Sequence, residues 1–177
     1  MSDDVFLLDT NIISNSSKSP PNSQIAGWLC SQARVAIPFA AILEMEIGIF
    51  QKLPDNPPKA MALGNWLDGI LQTEFEYPIP TPEVARKLAE MYCCGSLSHL
   101  WFVDPDKPKK RRPGQDLFIA ATAIAYDMPI ATCDEKDFLA IHPLFPLPGV
   151  FNPASGAWLV PRLSRQPESE HWPIMVA

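Results

Sequence analysis

Apolar residues fall along this chain in short runs and helical stripes that alternate with one another. Residues 5–8 are uniformly apolar, as in a strand buried on both faces, and the run stops abruptly at Asp9. A short turn or helix through Ile12 and Ile13 and a Ser/Pro/Asn loop at 15–23 follow. In 24–33, Ile25, Trp28 and Leu29 recur at i, i+3 and i+4, which predicts a helix with one buried face. A brief strand is expected at 35–38, then a helix over Phe39–Lys52, a break at the prolines of 54–58, and a second helix over 59–72. Residues 75–79 read as a short strand. Thr81 and Pro82 supply N-cap and N1 chemistry for a helix to Tyr92. Residues 93–114 show no clear period. A helix at 115–126, a strand at 130–132 that runs into Asp134, a short helix at 136–140 and a final strand near 150–151 complete the pattern.

Strands that alternate with helices imply an α/β fold with a central, mainly parallel sheet covered by helices. The 177 residues, 47% of them hydrophobic, suffice for one domain with a real core. Twenty prolines cluster between the elements and after residue 153, so 1–153 is expected to form the domain and 154–177 a Pro-rich C-terminal tail. Cys30, Cys93, Cys94 and Cys133 have no zinc-site spacing and read as reduced thiols. The acidic start and the lack of a long apolar run point to a soluble, cytoplasmic protein with no membrane span.

A net charge of -6 gives no global attraction to nucleic acid. Any phosphate-bearing substrate therefore needs a local basic patch or a bound cation. Asp9 and Asp134 end strands, Asp116 opens a helix, and Glu44 lies in a helix that follows a strand, so all four can meet at one sheet edge. Carboxylates gathered there repel and rise in pKa together unless a cation compensates. Oxygen-only ligands favour Mg²⁺ or Mn²⁺ over zinc, and such an ion serves phosphodiester hydrolysis.

These residues carry a family resemblance. The stretches Leu8-Asp9-Thr10-Asn11, Leu43-Glu44-Met45-Glu46-Ile47-Gly48, Asp116 to Ala123 and Ala131 to Phe138 resemble the four ordered motifs of PIN-domain ribonucleases. The match extends from about Val5 to Phe151 and is nearest to the VapC-like toxin branch of type II toxin–antitoxin systems. The resemblance implies a PIN-like three-layer fold and an endoribonuclease in which Asp9, Glu44, Asp116 and Asp134 bind Mg²⁺ or Mn²⁺ and an activated water cleaves RNA. It implies that Thr10, Asn11 and Thr132 orient carboxylates or water, and that the assisting position falls on Asp137. A homodimer and a cognate antitoxin that covers the acidic site also follow from it.

Each residue has a plainer reading. Asp9 alone is an ordinary N-cap, Asp116 suits the positive end of a helix, and Asp137 reads equally as a cap near Phe138. Glu44 and Glu46 lie two apart and cannot both face one ion. His99, His142 and His171 are scattered, and none presents itself as a general base. A basic loop insertion at 103–113 holds Lys107, Lys109, Lys110, Arg111 and Arg112 against Asp104 and Asp106, a balance of five minus two, or +3. It reads as a solvated loop or as a grip on RNA phosphates. Trp158 and Trp172 in the tail either fold back or dock a partner. Two other functions fit the sequence less well: a PIN nuclease of RNA maturation, and a catalytically weak PIN-fold interaction module. A phosphatase with an Asp nucleophile is disfavoured, because Asn11 stands where such a motif needs its second Asp.

Overall fold

The computed structural model describes residues 4–102 and 114–162. Lys107, Lys109, Lys110, Arg111, Arg112 and Trp172 lie outside them.

The sheet is built from β1 (Phe6–Leu8), β2 (Val35–Ala36), β3 (Ile130–Ala131), β4 (Val150–Asn152) and β5 (Ala157–Val160), in the order β2-β1-β3-β4-β5. The first four are parallel and β5 returns antiparallel to β4. The helices are α1 (Thr10–Ile13), α2 (Ser23–Ser31), α3 (Phe39–Lys52), α4 (Pro57–Leu71), α5 (Pro82–Cys93), α6 (Ser98–Trp101), α7 (Asp116–Tyr126) and α8 (Glu135–Ile141), and a 3₁₀ turn, Ser14–Ser17, follows α1.

Side chains that alternate along β1 divide the core into two layers. Leu7 packs with Ala36, Ile130 and Val150 against α5, α7 and α8. Phe6 and Leu8 pack with Val35 and Ala131 against α1, α2 and α4. Helices on both faces of the sheet make three layers, and they explain why residues 5–8 are apolar without alternation. The chain leaves β1 for β2 on one side and later returns to β3 on the other, so the strand order reverses beside β1. Open α/β sheets have their binding crevice at such a point, at the C-terminal ends of the strands.

Local chemistry sets the helix starts. The Asn22 side chain accepts from the N–H groups of Gln24 (2.9 Å) and Ile25 (3.2 Å) to open α2, and Thr81 accepts from Val84 (3.3 Å) to open α5. Helix α7 is buried nearly all round, from Leu117 through Ala123, so it lies between other elements rather than on the surface.

Two expectations fail. Residues 75–79 form no strand. Glu76 makes one parallel bridge to Ala36, and Pro78 and Pro80 remove the donors that a longer ladder needs. The domain also does not end at residue 153, because β5 lies beyond it. Asn152 O accepts from Gly156 N–H (2.8 Å), Gly156 takes φ +68°, and the chain turns back along β4. Trp158 then closes on Phe6 (5.7 Å) and Phe151 (5.3 Å), with Trp28 against both of those rings at 5.2 and 5.6 Å. Arg162 donates to both carboxylate oxygens of Asp127 (2.7 and 3.1 Å) and to Asp4 (3.0 Å). The first part of the supposed tail thus completes the sheet.

Candidate active site

The end of β1 delivers Asp9 into the crevice, where it is both the N-cap of α1 and only 4% exposed. One carboxylate oxygen accepts from Thr10 N–H (2.6 Å). The other accepts from Asn11 Nδ2 and from the buried Thr132 hydroxyl (2.6 Å). Thr132 follows β3, and its oxygen also receives Asn11 Nδ2 (3.1 Å) and Asp134 N–H (2.8 Å). Asn11 Oδ1 takes the N–H of Cys133 (3.0 Å). Adjacent parallel strands are therefore stitched together through three polar side chains at the point where they end.

Glu44 reaches this edge from α3. Its Oε2 accepts from the Thr10 hydroxyl (2.8 Å), so Thr10 serves Asp9 through its backbone and Glu44 through its side chain. Asp116 occupies the first turn of α7 and is half-buried. Its carboxylate fills the space that a Cβ on Gly114 would take, so a side chain at 114 collides with it. Asp134, exposed, precedes α8, and Asp137, half-buried, lies in its first turn.

The electrostatics tie these acids into one group. Burial, aided by the charges of Asp116 and Glu44, pushes the Asp9 carboxyl up to about 7, against the lowering effect of the Thr132 and Thr10 hydrogen bonds. Burial, followed by the charges of Asp137, Asp134 and Glu44, raises Asp116 to about 6. Asp116 and Glu44 thus act on Asp9, and Asp137, Asp134 and Glu44 on Asp116.

A hard cation fits the chemistry of this donor set: oxygen ligands, mutual repulsion, and hydrogen bonds that hold Asp9 in place. Among the described residues no three acids already stand in a metal-holding group, so ligation requires side chains to turn inward. A cavity of about 530 Å³ lies instead beside β2 among Leu29, Val35, Ile37 and Phe75 and contains none of the four acids. The buried, charge-coupled edge is the better candidate, because perturbed carboxyls rather than volume mark chemistry.

Sequence reasoning missed two contributors. Gly114 ends the stretch 93–114 that shows no clear period, and its lack of a side chain leaves room for one oxygen of the Asp116 carboxylate. Asn152 donates to Glu135 (2.8 Å) and accepts from Ala154 N–H (2.8 Å), which joins the end of β4 to the start of α8. The proximity of Asn152 to the fourth acidic motif carries no periodic signal.

A family model for the PIN domain matches residues 6–142. Among solved structures the chain is similar to FitAB bound to an IR36 DNA fragment, at 26% identity and TM-score 0.59, over 85% of this chain and 96% of that one. It is similar to FitAcB from Neisseria gonorrhoeae at 25% identity and TM-score 0.59, over 84% and 98% of the two chains. VapBC2 from Rickettsia felis, bound to a DNA fragment from its promoter, shares the fold at 18% identity and TM-score 0.55, over 84% and 98%. A comparison with curated proteins gave no match. Among the described residues no helix is long and apolar enough to cross a membrane.

Proposed function

The chain belongs to the PIN-domain family, and from that premise we propose that it is a divalent-metal-dependent endoribonuclease, the toxin of a toxin–antitoxin pair. The observation that carries this reading is the coupling of two raised carboxyls, Asp9 at about 7 and Asp116 at about 6, at the C-terminal edge of the sheet. The match to the PIN-domain family over residues 6–142 supports the nuclease part of this reading.

Asp9, Glu44, Asp116 and Asp134 are the residues that hold Mg²⁺ or Mn²⁺. When bound, such an ion supplies positive charge for the phosphate and eases removal of a proton from water. The chain's own residues do the rest. Thr132 and Asn11 fix Asp9, and Thr10 fixes Glu44, so that two of the acids keep their orientation. Asp137 adds negative charge beside Asp116 and strengthens the demand for a cation. Lys107, Lys109, Lys110, Arg111 and Arg112, just before Asp116 in the chain, are the proposed contacts to RNA phosphates; neutralising them flattens the salt dependence of RNA binding. The partners in this reading are a second copy of the chain and an antitoxin that blocks the acidic edge.

The test is cleavage of a panel of single-stranded RNAs with Mg²⁺ or Mn²⁺ by wild type, Asp9→Asn and Asp116→Asn. Each substitution is expected to lower the rate by at least roughly 10²-fold, the scale on which a misplaced reacting group is felt. Cleavage that survives both substitutions rules out the mechanism. An antitoxin gene next to this one, whose product abolishes cleavage, separates the toxin role from RNA maturation.

A further inference from the structure

A second concavity, about 250 Å³, opens directly beside the acid edge, between the 3₁₀ turn, α3 and α4. It shares a wall with the candidate site: Thr10 and Glu44, joined by their 2.8 Å hydrogen bond, both line it. Ser14 and Ser17 add two hydroxyls. These donate to backbone carbonyls, to Asn11 O at 3.4 Å and Ser14 O at 2.8 Å, and their oxygens keep lone pairs with which to accept. The remaining wall is aliphatic apart from the half-buried indole of Trp66. Gly48, one turn after Glu44, also lines the space, and a Cβ there would meet nothing within 4 Å.

The lining selects its ligand. No cationic residue contributes to it and one carboxylate does, so a phosphate is repelled. The volume falls below the roughly 300–1,000 Å³ of clefts that take drug-sized ligands and suits a single ring system. A flat, neutral ring with a polar edge can stack on an indole and donate amino groups to hydroxyl oxygens. Single-stranded RNA is read in this way, by bases splayed out onto aromatic side chains.

We propose that this pocket receives a nucleobase of the RNA substrate, stacked on Trp66 with its polar edge toward Ser14 and Ser17, next to the nucleotide whose phosphate meets the acids. The proposal rests on the nuclease reading and adds to it the position that selects among substrates. Glu44 then separates two neighbouring functions: its face toward Asp9 belongs to the cation site, and the Thr10–Glu44 wall bounds the base. The hydroxyls favour bases that present an amino group at that edge.

Gly48→Leu fills the pocket from within a helix, and leucine is the better helix former. In an Asp116→Asn background, where RNA is bound without being cut, fluorescence anisotropy with a single-stranded oligoribonucleotide is expected to show binding roughly tenfold weaker or worse for Gly48→Leu and for Trp66→Ala. Gly48→Ala should give an intermediate loss, and Trp66→Phe, which keeps an aromatic face, most of the parent affinity. The fold-change follows from the usual strength of base–aromatic stacking. In the otherwise wild-type chain, the rise in melting temperature caused by Mn²⁺ should be the same with and without Gly48→Leu, which shows that the acid edge is intact. If Gly48→Leu and Gly48→Ala bind RNA as tightly as their parent while wild type cleaves RNA, the pocket proposal is wrong and the nuclease reading stands. Parent affinity is also what results if the pocket takes a protein segment instead. If wild type neither binds nor cleaves RNA, both readings fall together.

Discussion

The sharpest consequence of the site concerns stability before activity. Asp9 keeps its proton up to about pH 7 in the folded chain, whereas an unfolded aspartyl group loses it near 3.9. The folded state binds the extra proton, so in metal-free protein the Asp9 contribution to stability is greatest below about pH 4, falls as pH rises, and levels off above about 7. At about 1.36 kcal/mol per pH unit, holding Asp9 ionised at pH 8 costs on the order of 4 kcal/mol. Asp9→Asn removes that cost and creates another, since an amide nitrogen would face the Thr132 hydroxyl and Asn11 Nδ2, both of which now donate to Asp9. That mismatch destabilises by about 1–3 kcal/mol at every pH. The stability of the variant relative to wild type should therefore climb by about 3 kcal/mol between pH 5 and pH 8. Asp116 titrates in both proteins, and the loss of its coupling to Asp9 forms part of the measured difference. Urea unfolding in EDTA at pH 5, 6, 7 and 8 measures the effect directly, and Mn²⁺ should stabilise wild type, but not the variant, at pH 8. Parallel stability curves for the two proteins would refute the argument, because they would mean that Asp9 is ionised in the folded chain throughout.

Three further outcomes follow from the same geometry. Thr132→Val deletes a hydrogen bond that lowers the Asp9 pKa, so the acid limb of the pH–rate profile should move to higher pH; an unmoved limb contradicts the assignment. Gly114→Ala places a methyl group in the space of the Asp116 carboxylate, and should cut RNA cleavage by about 10²-fold with little change in melting temperature. A chain ended after residue 153 loses β5, the Trp158 packing and the Arg162 ion pairs. It should lose on the order of 5 kcal/mol, enough to unfold many domains, as read by circular dichroism melts.

The parts legible in the sequence are those where local pattern and tertiary environment agree. Residues 5–8 are apolar because both faces of β1 are covered, and Asp9 stands out because it ends that run. Helix α3 was readable to the residue, Phe39–Lys52, since Pro38 and the prolines after Leu53 bracket it. The strand expected at 75–79 failed because aromatic and β-branched content says nothing about whether a ladder partner is available. Strand β5 was hidden by the prolines around it, although Gly156 followed by Ala-Trp-Leu-Val has the form of a turn and a returning strand. Asp9, Asp116 and Asp134 stand out as candidates by position, at the ends of apolar runs or the start of a helix. Gly114 could not be found that way, since the need for an empty Cβ position arises only when Asp116 is set against it in space.

Arg162 has one more consequence. It holds Asp4, just before β1, and Asp127, just before β3, and it donates to Pro148 O (3.3 Å) ahead of β4. All three partners lie at the starts of parallel strands, on the rim opposite the carboxylates. The described body thus begins and ends at one spot, far from the crevice. A short linker between residues 162 and 4 would permit circular permutation of the described body with new ends placed elsewhere. The new junction would lie on the rim opposite the carboxylates, which makes permuted versions of the chain suitable for the binding measurements described above.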